Sequence, residues 1–210
     1  MKPLFLSHFL EEGTPAYGGI QGSIILKRTK NIQNGDTSNN MEFTFPNHIG
    51  THIDFPFHFD SKGKRSQDYL PSFWIFNKVG FVECDIKTFP EIIKTLSTDI
   101  EILIFKTGFG GKRGDNEYWA SQPVIPADFA KMLKNHFPDL RVFGFDMISL
   151  TSKLDRGEGK KAHLAFLIEY DILILEDMKL DAITVQPSKL VILPLQVMDA
   201  DGVPCSVLAY

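Results

Sequence analysis

Apolar residues recur along this 210-residue chain with two different periods. In the first third the runs are short and punctuated by Gly18-Gly19, Asn34-Gly35 and Lys62-Gly63-Lys64, which predicts strands at Ser23 to Lys27 and Met41 to Phe45. From Val79 onward, apolar runs of strand length alternate with stretches of helical spacing. Strands are expected at Val79 to Asp85, Glu101 to Thr107, Arg141 to Asp146, Ile172 to Leu175 and Leu190 to Val197. Helices are expected at Pro90 to Leu96, Pro126 to His136 and Lys160 to Ile168. Pro126 suits a first helical turn, where its missing N–H has no partner to lose, and Phe129, Met132 and Leu133 then share one side. The early strands lie close together without helices between them, so the fold class is α/β with an antiparallel or mixed sheet. No internal repeat is visible, and 210 residues bury one core well and two poorly. One domain spanning residues 1–210 is therefore expected.

The sharpest alternation runs from His48 to His58. His48, Gly50, His52, Asp54, Pro56 and His58 occupy the even positions, and Ile49, Thr51, Ile53, Phe55 and Phe57 the odd ones. Extended chain places alternate side chains on opposite faces, so one face is imidazole and carboxylate while the other is fit for a core. A helix would scatter these groups, and Pro56 would break it. A straight strand fails too. At about 3.3 Å per residue His48 and His52 would stand roughly 13 Å apart, whereas donors to one metal lie about 2 Å from it. The chain must bend, and Gly50 is the residue free to do so. Pro56 then fixes the exit toward His58.

A single strand histidine is commonly a satisfied core or surface residue. Three histidines and an aspartate on one face are different, because burying them beside Ile53, Phe55 and Phe57 costs several kcal/mol unless something coordinates them. A divalent cation offsets that cost. His163, on the helix expected at Lys160 to Ile168, and Glu176, just after the apolar run Ile172 to Leu175, are each unremarkable alone. Together they offer further ligands, since an aspartate placed to bridge two metals needs partners on its far side.

Composition narrows the function classes. With 43% apolar and 23% charged residues the chain is an ordinary globular one, which argues against disorder and against a membrane span. A net charge of −4 without a cluster of Lys or Arg argues against a nucleic-acid surface. Cys84 and Cys205 match no metal or redox spacing, no disulfide is expected, and Cys84 reads as a small core residue. The apolar start Pro3 to Leu6 is interrupted by Ser7-His8 and closed by Glu11-Glu12, so no secretory signal is expected and the cytoplasm is the default compartment. A small-molecule substrate is the expected partner.

The run His48 to His58 resembles the signature of the metal-dependent cyclase family, which includes bacterial kynurenine formamidases and isatin hydrolases. That signature is His-x-Gly-Thr-His-x-Asp-x-Pro-x-His, and every fixed position is met. Thr107-Gly108-Phe109, Gly144 to Ser149, His163 through Glu176 to Leu180, Leu193-Pro194-Leu195 and Asp201 to Pro204 extend the likeness over nearly the whole chain. The resemblance implies a swivelling β/β/α fold with a mixed, largely antiparallel sheet, assembled as homodimers or homotetramers. It implies that His48, His52 and Asp54 hold one metal, that Asp54, His163 and Glu176 hold or share a second, and that His58 is the general acid/base. Zn²⁺ is the expected ion and Mn²⁺ the alternative, since imidazole and carboxylate suit both.

The activity implied is hydrolysis of a small amide, with aryl formamides the leading substrates. Lactam opening in isatin-like compounds, or a cyclisation or dehydration, is the second reading. The third is a metal- or ligand-binding protein without catalysis, which would have no use for the intact His58. Tyr17, Phe55, Phe57, Phe73 and Trp74 are candidates for an aromatic pocket wall, with Tyr17 and Phe57 the expected substrate contacts. The chain also departs from the family pattern. His163 and Glu176 stand one residue further apart, Tyr17-Gly18-Gly19-Ile20 replaces a Trp-Pro-Gly-Asp-like stretch, and Cys205-Ser206 replaces an Arg after Pro204.

Overall fold

The apolar runs form the centre of one large sheet in the computed structural model, which describes residues 2–210. In chain order the strands are β1 (Leu4–Phe5), β2 (Ile25–Lys30), β3 (Asn40–Thr44), β4 (His52–Asp54), β5 (Ile75–Phe76), β6 (Val79–Glu83), β7 (Ile102–Lys106), β8 (Val142–Phe145), β9 (Leu173–Glu176), β10 (Leu190–Pro194) and β11 (Gly202–Ala209). The helices are α1 (Phe89–Ile92), α2 (Glu117–Ala120), α3 (Asp128–His136) and α4 (Arg156–Leu164). The large sheet runs β5-β10-β11-β4-β9-β8-β7-β6, with β1 also against β11, while β2 and β3 pair separately as a hairpin. Among the described residues it has five antiparallel pairings and three parallel ones, the latter joining β6 to β9. The mixed, largely antiparallel α/β architecture expected from the sequence is the one observed.

Parallel strands covered on both faces are apolar along most of their length, which is why β7, β8 and β9 are legible as continuous runs, with Lys106 and Glu176 only at the ends of β7 and β9. Phe89 of α1 stacks over Phe105 of β7 at 4.3 Å between ring centroids and against Phe129 of α3 at 5.3 Å. Phe143 of β8 stacks on Phe166 at 5.3 Å. These rings close the main core over the parallel half of the sheet. Cys84 packs half-buried at its margin, and both cysteines are free.

Several boundaries move. The first hairpin strand is Ile25–Lys30, and β10 stops at Pro194. The segment Pro90 to Leu96 is a four-residue helix followed by a 3-10 turn. Glu176 is the last residue of β9 instead of following the strand, so register holds it directly.

The eight-residue β11 had no strand expectation because Pro204 lies inside it. Cys205 pairs with Pro194 of β10 and Pro204 with His52 of β4, so the missing N–H falls where β11 changes partners. The helix expected at Lys160 to Ile168 starts earlier, capped by the Asp155 side chain on the Glu158 N–H, and gives way after Leu164 to a π turn at Ala165–Glu169. There the Tyr170 N–H reaches back to the Ala165 carbonyl. A π turn holds one more residue than an α turn. His163 stands just before this turn and Glu176 after it, and both side chains reach the same site.

Candidate metal centre

Sheet register assembles the site from distant parts of the chain. In the β4–β9 ladder His52 is opposite Glu176, and in the β4–β11 ladder Asp54 is opposite Gly202. A Cβ on Gly202 would stand 2.3 Å from His48 Cε1, so the missing side chain is the space in which the His48 ring lies. His48 reaches it because the chain bends at Gly50, where φ is +60°. Ile49, Thr51, Ile53 and Phe55, on the other side of the run, are all buried.

The bend itself is testable. An L side chain in the left-handed region costs roughly 1–2 kcal/mol, and a Cβ here would also press on Leu10 Cδ2 at 2.5 Å. Gly50→Ala should therefore lower the thermal midpoint by about 2–8 °C in a scanning calorimeter. An unchanged midpoint would show that the bend tolerates a side chain.

Two imidazoles are aimed by the backbone. His52 Nδ1 donates to the Gly50 carbonyl at 2.8 Å and His163 Nδ1 to the Gly159 carbonyl at 2.8 Å. Carbonyls only accept, so each neutral ring carries its proton on Nδ1 and turns the Nε2 lone pair toward Asp54 and Glu176. His52 Nε2 lies 3.5 Å from Asp54 Oδ1 and 3.4 Å from Glu176 Oε2. His163 Nε2 lies 3.6 Å from Asp54 Oδ2 and 3.7 Å from Glu176 Oε1. Each carboxylate thus gives one oxygen to each imidazole. Ligands about 2 Å from a tetrahedral ion stand about 3.3 Å apart, so these separations suit donors that share cations better than donors that bond to one another. Glu176 Oε1 is further fixed by the Leu150 N–H at 2.5 Å and Ser149 Oγ at 3.2 Å.

Asp54 and Glu176 are almost fully buried, and two buried carboxylates draw positive charge. Burial alone would push the Asp54 carboxyl up. The hydrogen bond and charge of His48, then the charges of His52 and His163, outweigh burial and hold it well below the usual carboxylate range. Burial disfavours the His48 cation, but hydrogen bonds and charge from Asp54 and Asp201 push His48 up to about 9. His163 is raised against burial by Glu176 and Asp54.

His48 Nδ1 meets Asp54 Oδ1 at 2.8 Å, and its Nε2 meets Asp201 Oδ2 at 3.0 Å. The donor atoms form two sets, His52 with Asp54 and Glu176, and His48 with Asp54 and His58. Glu176 thus joins His52, whereas the sequence expectation paired His52 with His48; His48 groups with His58 instead, and His163 approaches Asp54 and Glu176 at 3.6 and 3.7 Å outside both sets. Together His48, His52, Asp54, His58, His163, Glu176 and Tyr17 line one cavity of about 280 Å³, with Ile49, Ile148 and Phe59 also in its wall.

Phe57 is not among the lining residues. Pro56–His58 is a 3-10 turn, so the period of two ends at Pro56 and the side chains of Phe57 and His58 diverge. Phe57 lies under the Arg65 guanidinium at 4.1 Å instead, and Phe59 stacks on His163 at 4.8 Å. Phe55, Phe73 and Trp74 pack with Tyr69 away from the cavity. Sequence reasoning missed Asp201, which meets both His48 and His58, because Asp201-Gly202 reads simply as a turn. It also missed Asp177, which follows Glu176 at a φ of +49° and is clasped by Arg113 and the Tyr118 hydroxyl.

A small cavity with imidazoles and carboxylates converging at its floor, and a further histidine at its side, makes a candidate metal centre. Comparison with known proteins supplies the family. Residues 4–152 match the cyclase family model, described as "Putative cyclase". A kynurenine formamidase of Bacillus thuringiensis (strain Al Hakam) is 33% identical over 168 residues, covering 78% of this chain and 76% of the relative.

Among solved structures, isatin hydrolase A from Labrenzia aggregata superposes with a TM-score of 0.82 at 18% identity, covering 99% of this chain and 93% of that one. A protein described as a potential metal-dependent hydrolase with cyclase activity gives 0.75 at 19% identity, covering 99% and 96%. These two likenesses establish the fold. The chain belongs to the cyclase family.

Proposed function

We propose that the chain hydrolyses a small amide, with an aryl formamide as the leading substrate, using one or two divalent cations. His48, His52, Asp54, His163 and Glu176 would hold them, zinc before manganese, with His58 as general acid/base and Tyr17 as a substrate contact. The observation that carries this reading is the pair of backbone-fixed imidazoles, His52 and His163, both directing Nε2 at the same two carboxylates. A cation bound there would supply Lewis acidity and activate water at neutral pH.

The protein groups do the rest. Leu150 N–H and Ser149 Oγ hold Glu176 in place, and Ile49, Ile148 and Phe59 give the cavity an apolar wall. Burial raises the Tyr17 hydroxyl above its ordinary value, so it remains a phenol that can donate to a substrate oxygen. As the C–N bond breaks, carbon retains the hydroxyl from water and the departing nitrogen takes a proton. His58, which meets Asp201 at the edge of the cavity and is 30% exposed at its side chain, is the group placed to give it.

The aryl formamide is favoured over a lactam because the kynurenine formamidase relative is nearer in sequence than the isatin hydrolase, although the latter shares the fold closely. Chelator-treated protein should lose hydrolysis of N-formylkynurenine and regain it with Zn²⁺ or Mn²⁺, read against isatin and simple anilides as competing substrates. Faster turnover of isatin would transfer the reading to lactam opening. Activity indifferent to chelation and to metal content would overturn the metal reading itself.

No described helix is long and apolar enough to cross a membrane. Our reading places the protein in the cytoplasm, consistent with its two free thiols. It also makes the chain a homodimer or homotetramer, for which the exposed Phe9, Met41, Phe43, Leu193 and Leu195 offer apolar surface. Sedimentation of a monomer at micromolar concentration would contradict that assembly.

A further inference from the structure

Asp201 stands behind the two imidazoles at the side of the cavity. Its Oδ2 is 2.8 Å from His58 Nδ1 and 3.0 Å from His48 Nε2, and its Oδ1 accepts from Asn47 Nδ2 at 2.6 Å. The backbone pins it as well, because the Asp201 carbonyl accepts from the Phe55 N–H at 2.9 Å at the start of β11. The rings of His48 and His58 lie 4.1 Å apart between centroids, tilted by 33°. Two ring nitrogens facing one carboxylate oxygen are both satisfied only if both donate. His58 then carries a proton on Nδ1, and Nε2 is the ring atom left for the substrate. Among the described residues Nε2 of His58 makes no hydrogen bond.

We infer that Asp201 is a positioning residue for the reaction, fixing His58 in the Nδ1–H tautomer and holding its ring beside the metal centre so that Nε2 is the nitrogen that exchanges protons. The inference rests on the amide-hydrolase reading above. In the step concerned the C–N bond breaks and its electron pair goes to nitrogen. That nitrogen takes the proton from Nε2 of the His58 imidazolium, and His58 is left neutral with its Nδ1–H still donated to Asp201. The carboxylate balances the imidazolium before transfer and holds the geometry through it, as a buried aspartate does for other acid/base histidines. The same oxygen steadies His48, a carboxylate–imidazole support of the kind found behind metal ligands. Gly202 is what lets both rings approach, since any side chain there would occupy the place of His48.

Asp201→Asn keeps the shape but gives each imidazole only a neutral amide. With zinc supplied in excess, so that the site stays filled although loss of the support behind His48 weakens zinc binding by up to about 100-fold, kcat for the amide should fall by roughly 10²-fold, below the loss from removing His58 itself, while KM changes little. An activated aryl ester, whose leaving group needs no proton, should lose much less. In a His58→Ala background the same change should cost almost nothing further, because residues that act as a unit are not additive.

Ring-nitrogen NMR of the zinc-loaded protein should show His58 protonated at Nδ1, and a shift toward the Nε2–H form in Asp201→Asn. A wild-type His58 in the Nε2–H form, additive losses in the double variant, or departure of zinc with equal loss on amide and ester would each overturn the assignment. The spectrum decides the tautomer even if no amide is turned over, so failure of the amide reading would be seen separately from failure of Asp201.

Discussion

Asp54→Asn should leave the backbone folded while stripping the protein of its bound cation and its activity together. The substitution changes charge and hardly changes shape, at a position only 1% exposed. Asp54 Oδ1 meets His48 at 2.8 Å and His52 at 3.5 Å, and Oδ2 meets His163 at 3.6 Å, so one carboxylate serves all three proposed imidazole ligands. Its carboxyl is held well below the ordinary range by those same rings against the opposing pull of burial. An amide gives them neither charge nor two equivalent oxygens. Loss of a group that merely supports a metal ligand costs about 10–100-fold in affinity, so loss of a shared ligand should cost at least roughly 10²-fold. Metal content by mass spectrometry and far-UV circular dichroism read the two halves of the expectation. Full metal occupancy with a native rate in Asp54→Asn would falsify the centre described above.

His58→Ala should have the opposite signature, with the metal kept and the rate lost. The 3-10 turn Pro56–His58 carries this ring past the strand that holds His52 and Asp54, and its partner is the carboxylate of Asp201. A departing amide nitrogen needs a proton, and a positioned acid/base group contributes roughly 10²–10⁴ in rate. The loss should fall on kcat for amides and be much smaller for activated aryl esters. Equal losses on both substrates, or departure of the metal with the side chain, would make His58 a ligand or a scaffold residue.

The alternation from His48 to Asp54 carried most of the site, because side-chain direction in extended chain follows from position alone. It separated Ile49, Thr51, Ile53 and Phe55 from the polar face, and the distance argument placed the bend at Gly50, where φ is +60°. The same local logic made β7, β8 and β9 legible, since a strand buried on both faces has no polar alternative. It failed at Phe57. A 3-10 turn begins at Pro56, and there a period of two no longer says which way a side chain points.

What the sequence determined by itself was therefore the local content: the polar face of the histidine run, its bend, the apolar strands of the parallel half, and the mixed α/β class. The motif likeness names His163 and Glu176 as distant partners of that face, but only the tertiary structure decided how they are set against it and that Asp201 joins them. Register between β4 and β9 sets Glu176 beside His52, α4 turns His163 Nε2 toward Asp54 and Glu176, and the entry to β11 brings Asp201 to His58 across 143 positions of chain. None of these has a local signal. Strand register and loop closure are settled by the packing of the whole core, in which a one-residue slip would turn every inward side chain outward, whereas periodicity reports only on the chain within a few residues of itself.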